Sequence, residues 1–511
     1  VAKTLDDLVI DDPVYLVEMV PRRTDGTPAA PVYLATRDIT LPHDDPAAPS
    51  RQYLGGLIEA LAREVDLFAV SDGADGGDDV TLGGPSSPRP GSIVLAPDME
   101  VMAEDLPVWR TLAWDGAAVR VRRGPYGGRL NAFETVHQGV LSGDITEGAD
   151  GIEWQVLGLD GAFDQVLNDT AYGPGGLEGQ PKPIAVGRFQ GFAPVLVDAA
   201  EGWWDVSPLT GLDRVDRVED GGFGIARSFD SPPPDGHYYA HLEGGRIQFR
   251  GRPQFGLRVS GVSGYAGGAT AAGPLLDHLL DEGAGVPVAR GMDVDALPAW
   301  PLGTATREAL RIRDLADLIV TSVGGYYADA PGVGLAVGRL RAPDAADADE
   351  ADLYLDDQDI ERGSLAIRRP GAPPHTLRVG HAPTLDPLSE DRIAADAPAG
   401  RRAALTRDRA YTAWASAAAR ARRRLAGTAS LDTALAEAGD AEALAAGHGA
   451  LLTADHELVE VAVPVTPFRL PLMAEVWLSS AAHGLDAAYR LLGVRESAAD
   501  SVVRLKLWRP R

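Results

Sequence analysis

The apolar residues of this chain come in short runs, and glycine, proline or aspartate cuts nearly every one of them. Runs of about 4–8 apolar, β-branched-rich residues bounded by turn formers read as strands. Val14-Tyr15-Leu16-Val17-Glu18-Met19-Val20 and Val32-Tyr33-Leu34-Ala35-Thr36 are two such runs, split by a segment holding Asp25-Gly26-Thr27-Pro28. They predict a hairpin. No run approaches the ~18 apolar residues that cross a bilayer, so no membrane span is expected. Nor does the stretch Val1 to Asp12 carry the basic and apolar regions of a secretory signal.

With 511 residues, 45% of them hydrophobic, several cores can form. A prior of roughly 150 residues per domain suggests three or four. The pattern predicts an N-terminal β domain over 1–165, a second β-rich domain over 166–269, an α+β domain over 270–345 and a C-terminal β domain over 346–511. Strands are expected at Ser92–Leu95, Ala117–Arg122, Phe133–Leu141 and Ile152–Leu159 in the first domain. In the second they are expected at Ile184–Gly187, Val195–Asp198, Trp203–Val206, Tyr238–His241, Arg246–Arg250 and Gly256–Val262. The chain closes with Val459–Val465, Ala474–Leu478, Tyr489–Val494 and Val502–Trp508. Ser71–Pro90 is too polar for a core and reads as a solvated loop or an insertion at a hairpin tip.

Helical spacing predicts helices at Tyr53–Val65, near Asp98–Asp105, at Ala271–Leu280 and at Ile312–Gly324. Arg401–Leu425 has no Gly or Pro and predicts a helix of about six turns, anchored by Leu405, Tyr411 and Trp414. Leu431–Leu452 predicts an Ala-rich helix broken at Gly439. Ala342–Asp352 is a charged spacer. No repeat at a fixed period of about 20–50 residues is evident.

The absence of cysteine excludes disulfide scaffolds, zinc knuckles, iron–sulfur ligation and cysteine nucleophiles. The net charge is −27, from 47 basic and 74 acidic residues, and the only lysines are Lys3, Lys182 and Lys506. With so much Ala, Gly, Asp and Pro, this reads first as a GC-rich coding bias. It also argues against tight or sequence-specific nucleic-acid binding, since each phosphate contact needs a cation. A surface past which DNA slides can be acidic.

Catalytic patterns are missing. There is no Gly-Lys pair for a phosphate-binding loop and no His-Glu-x-x-His. Gly261-Val262-Ser263-Gly264 is followed by Tyr265, not the glycine of a nucleophile elbow. Gly332-Val333-Gly334-Leu335-Ala336-Val337-Gly338 has one residue too many for a dinucleotide fingerprint, and a hairpin is expected there. His237 and His241 would lie about 13 Å apart on a strand, too far for one metal. Asp72, Asp75, Asp78 and Asp79 lack the spacing of a calcium loop. Trp203-Trp204 and Tyr326-Tyr327 could stack on sugars or bases, but such pairs more often serve a core and its edge. Catalytic, cofactor and metal residues are therefore all expected to be absent.

Several segments, in order, resemble the tail-hub (baseplate hub) proteins of long-tailed phages and gene transfer agents. The first is Tyr33-Leu34-Ala35-Thr36-Arg37-Asp38. A block follows, Gly179-Gln180-Pro181-Lys182-Pro183-Ile184-Ala185-Val186-Gly187-Arg188, then Pro194-Val195-Leu196-Val197-Asp198. Gln180 stands where the family pattern has Arg. The C-terminal patches are an Ala-rich helix, Leu470-Pro471-Leu472-Met473-Ala474-Glu475-Val476-Trp477-Leu478, the turn His483-Gly484-Leu485, and a hairpin of Arg490–Val494 with Val502–Trp508. The resemblance implies a mainly β, multi-domain tail-hub architecture of β-sandwich or barrel domains with a helical insert. It implies a homo-oligomeric ring, usually a trimer, in the virion at the tail tip or baseplate. Its partners would be a distal-tail or tail-tube protein above and a tip fibre or spike below. No lysozyme-like or spike domain is expected after the last hairpin.

Two other functions compete. A β-rich glycan hydrolase would need paired carboxylates about 5–9 Å apart in a cleft, and no motif selects such a pair. A receptor- or glycan-binding tail protein would more often carry repeats or a coiled-coil stem, and neither is present.

Overall fold

The computed structural model describes residues 3–5, 13–60, 62–72, 78–82, 84–85, 89–96, 103–148, 151–157, 163–283, 297–330, 334–368, 373–464, 470–497 and 502–511. The chain is mainly β, as expected, with 43% strand and 17% helix.

In the strand Pro13–Arg22 alternate residues point to opposite faces, and both faces are buried. Tyr15, Val17 and Met19 enter one core with Trp109, Trp114 and Trp154. Val14 and Leu16 enter another with Ile39, Tyr53 and Phe133. The strand is interior to a seven-stranded antiparallel sheet. Its order is Val32–Ala35, Pro13–Arg22, Ala113–Pro125, Glu134–Gly148, Gly151–Leu157, Ser92–Leu95 and Leu57–Glu59. The expected first hairpin forms, with Leu16 opposite Ala35.

Two five-stranded sheets follow and share one core of Phe189, Phe192, Val215, Tyr238, Ile247 and Val259. One contains Ile184–Phe192, Leu212–Asp220 and Leu257–Ser263; the other contains Val195–Asp198, Trp203–Asp205, His237–His241 and Arg246–Phe249. Within Ile184–Phe192 the chain passes so close to Leu302 that only a glycine fits. Gly187 has φ +64°, and a Cβ there would meet the Leu302 carbonyl oxygen at 2.2 Å.

The helical pattern at 270–325 yields the helix Ala272–His278, continued by a π-helical turn over Leu279–Gly283, and the helix Ile312–Ser322. A hairpin of Gly325–Ala330 and Gly334–Arg339 follows. The glycine-rich run thus ends in a strand, not at a helix start; Gly332 and Val333 lie outside the described residues.

The last sheet has eight strands. Leu485–Ser497, Val503–Pro510 and His456–Val463 form its centre. Glu475–Ser480 pairs with Leu485–Ser497, and Gly484, at φ +65°, makes the turn between them. The sheet is completed from far away in sequence: Ala62–Asp66 pairs antiparallel with Leu485–Ser497, Val65 opposite Val494.

Four helix expectations need correction. Tyr53–Val65 is not a helix: it contributes the strands Gln52–Tyr53, Leu57–Glu59 and Ala62–Asp66. Gly55 and Gly56 already weaken a helix there, and three different sheets offer ladder partners. Near Asp98–Asp105 the helix is Leu106–Trp109, with 97–102 outside the described residues. Arg401–Leu425 divides into the helix Ala399–Thr406, the strand Ala410–Ala415 and the helix Ala417–Arg422. Leu431–Leu452 divides into the strand Thr428–Asp432 and the helix Ala438–Leu452; Gly439 is its second residue, where it breaks nothing. The cause of the last two is Thr376–His381, which pairs with Ala410–Ala415 on one side and Thr428–Asp432 on the other. Ladder bonds and Trp414 packing on Gly449 outweigh the helix propensity of alanine.

Candidate interaction surfaces

Most of the aromatic and ionisable residues singled out above serve the framework. His237 and His241 lie on a strand, as expected. His237 Nδ1 faces the Asp235 carbonyl oxygen at 3.2 Å, and His241 stands edge-on to Trp203. Tyr326 and Tyr327 are buried in the core, and the Tyr327 hydroxyl donates to Asp317 at 2.5 Å. They offer no stacking platform. Trp203 and Trp204 are half-buried, while the adjacent Asp205 is fully buried. It accepts from the Tyr172 hydroxyl at 2.8 Å and pairs with Arg246 at 2.6 Å. Asp72, Asp78 and Asp79 sit on the paired strands Phe68–Asp72 and Asp78–Leu82, so the polar segment is partly a hairpin. Asp75 lies outside the described residues. Among the described residues no three His, Asp or Glu side chains are grouped to hold a metal.

Apart from Asp45, which the Ala47, Ala48 and Leu130 amides hold, the buried carboxylates pair with arginines. Glu457 pairs with Arg509 at 2.7 Å and Arg511 at 2.6 Å, and accepts from Tyr489 at 2.9 Å. Burial alone would raise its pKa; Tyr489 and the two arginines more than offset that, and it lies below the usual value. Glu219 sits between Arg217 and Arg401. Glu475 pairs with Arg490 at 2.5 Å and accepts from the Asp344 and Ala345 amides. That pins one end of the acidic spacer Ala342–Asp352 to the last sheet. A carboxylate held by two arginines is a poor general acid, because the pairing favours the charged form.

Among the described residues, two grooves are well formed. One, of about 560 Å³, lies over the eight-stranded sheet. Glu361 and Arg362 rim it, and Glu460, Arg495, Arg504 and Lys506 line it. Lys506 pairs with Asp66 at 2.6 Å. Arg495 stands directly opposite Arg504, a like-charge arrangement that costs stability unless an anion is nearby. The second, of about 860 Å³, lies beside the N-terminal sheet and is lined by Tyr33, Leu54, Val108, Trp109 and Tyr126. Val108 and Tyr126 are 57% and 53% exposed, an apolar rim of the kind that marks contact surfaces.

Neither groove was foreseen in the sequence. The alternation Arg504-Leu505-Lys506-Leu507 is a legible signal of one charged sheet face. The rim of the second groove is assembled from four distant segments and has no such signal.

A third surface is electrostatic. Residues 401–424 hold eight arginines and a single acid, Asp408, in a chain of net charge −27. Arg401, Arg402, Arg409, Arg422 and Arg423 have carboxylate partners. Arg407, Arg420 and Arg424 are exposed, and no carboxylate pairs with them among the described residues.

No family model matches the sequence, and no curated protein does. Solved structures of phage-type tail proteins align with it over nearly its whole length. A tail protein from Neisseria meningitidis MC58 is 11% identical, with 97% of this chain and 96% of that chain covered and a TM-score of 0.42. The 43 kDa tail protein of prophage MuSo2 from Shewanella oneidensis is 11% identical, with 93% and 99% covered and a TM-score of 0.41. Prophage tail protein gp18 from Listeria monocytogenes EGD-e is 6% identical, with 98% and 94% covered and a TM-score of 0.36. Likeness at this level does not transmit a function. Among the described residues no helix is long and apolar enough to cross a membrane.

Proposed function

We propose that this chain is a non-enzymatic structural component of a phage-type tail, placed at the hub or baseplate. It forms a homo-oligomeric ring, a trimer, between the tail tube or distal-tail protein and the tip fibre or spike. One observation carries the reading: the segments that resemble tail-hub proteins occur in the family's order, and most of them coincide with framework strands. The block Gly179–Arg188 runs into Ile184–Phe192, and Pro194–Asp198 into Val195–Asp198. The C-terminal patches supply three successive strands of the last sheet. Resemblance concentrated on paired strands is what a shared scaffold leaves behind, since loops vary faster. The commitment of Glu457 and Glu219 to two arginines each supports a structural role.

Analytical ultracentrifugation of the purified full chain tests the ring. A trimer or hexamer mass supports the hub; a monomer with glycan hydrolase activity ends it. A second reading, a glycan-contacting tail surface, is favoured by the groove that Tyr33, Trp109 and Tyr126 line. Titration with host surface glycans, read by tryptophan fluorescence, separates the two.

A further inference from the structure

We infer that the edge strand Ala410–Ala415, with the arginine-rich segment that follows it, is the surface through which one copy of this chain docks on a second copy. The inference rests on the ring reading above and names the contact it would use.

The strand is the outer member of the sheet it forms with Thr376–His381 and Thr428–Asp432. Among the described residues no strand pairs with its far side. An open edge presents unpaired backbone N–H and C=O groups and is a template for another strand. Proteins often blunt such an edge with charges on the strand itself. Here the strand reads Ala-Tyr-Thr-Ala-Trp-Ala and carries none. The cations flank it: Arg407 and Arg409 before it, Arg420 to Arg424 after it. Arg378 lies over the Tyr411 ring at 4.5 Å, adding a stacked cation beside the edge.

Leu425 ends the basic segment and is 99% exposed. A fully exposed leucine among arginines gains from being covered by protein, which a nucleic-acid backbone does not provide. The arginines then select an acidic partner. A second copy, with its net charge of −27, supplies one. The placement also suits the ring: arginines gathered at subunit contacts are kept away from a DNA-facing lumen.

The test is sedimentation velocity of the full chain over a concentration series at about 50 mM and about 500 mM salt. Three proteins are compared: wild type, Arg420→Glu/Arg424→Glu, and a control of equal charge change on another exposed surface, Arg250→Glu/Arg252→Glu. The expected result is self-association that weakens as salt rises. General repulsion between acidic copies would give the opposite trend. The Arg420/Arg424 variant should associate roughly tenfold or more weakly, because opposite charges become like charges across the contact. The control should match wild type. Association unchanged in the Arg420/Arg424 variant overturns the inference and leaves the ring reading standing. Monomers at every concentration overturn both. If the variant instead loses binding to a random-sequence duplex oligonucleotide while association is unaltered, the surface belongs to nucleic acid and the inference falls.

Discussion

Among the histidines, His448 is the one whose pKa burial moves furthest. It is buried on the helix Ala438–Leu452 beside Gly324. Burial, and secondarily Arg339, push its pKa down to about 4. A histidine held neutral in the fold contributes stability above its unfolded value near 6.5, and loses it as pH falls from there toward 4. At 1.36 kcal/mol per unit, the loss at this site is about 3 kcal/mol. His381 and His456 are shifted in the same direction by burial. Urea denaturation from pH 7 to pH 4 should show stability falling over that window, with a shallower fall in His448→Gln. An identical slope in the variant would show that other groups carry the dependence. Gly187 makes a second prediction. Its positive φ and the Leu302 carbonyl exclude any side chain, so Gly187→Ala should cost at least about 1–3 kcal/mol from backbone strain alone. The same denaturation midpoints measure it.

At the scale of elements, partners decided between helix and strand. Ala62–Asp66 carries a helical pattern but finds Leu485–Ser497, and a completed ladder outweighs a marginal isolated helix. Hydrogen exchange should therefore protect the ladder amides of Ala62–Asp66 together with those of Leu485–Ser497, as one cooperative unit. Exchange of 62–66 ahead of that strand by orders of magnitude would show that the pairing is peripheral. The ion pair of Lys506 with Asp66 crosses the same junction, but both side chains are partly exposed. Lys506→Met should change stability by less than about 1 kcal/mol. Period-2 alternation read correctly where one face is buried, as in Val503–Pro510, whose Val503, Leu505 and Leu507 are buried while Arg504 is exposed. Alanine-rich stretches misled, since alanine tolerates either backbone and has no side chain to declare a face.

For the whole molecule the dominant number is the charge. A ring of these chains would present a strongly acidic body, and the expectation is a lumen lined by carboxylates and nearly free of arginine. Each wall arginine would displace counterions and hold DNA, whereas carboxylates repel it within about 8–10 Å at physiological salt. A structure of the assembled ring checks this directly: a lumen lined by basic side chains, or no lumen, removes the charge argument for DNA passage.

Composition and local pattern were enough for a mainly β chain without thiol chemistry, with most strands near their positions. Those properties depend on neighbours in sequence, where alternation and turn residues act. Three things needed the tertiary structure: the enlistment of Ala62–Asp66 into the C-terminal sheet, the division of Arg401–Leu425 into helix, strand and helix, and the open edge at Ala410–Ala415. Each is set by a strand tens to hundreds of residues away. The energy of a ladder belongs to the pair, and neither strand alone carries the information that the other is there.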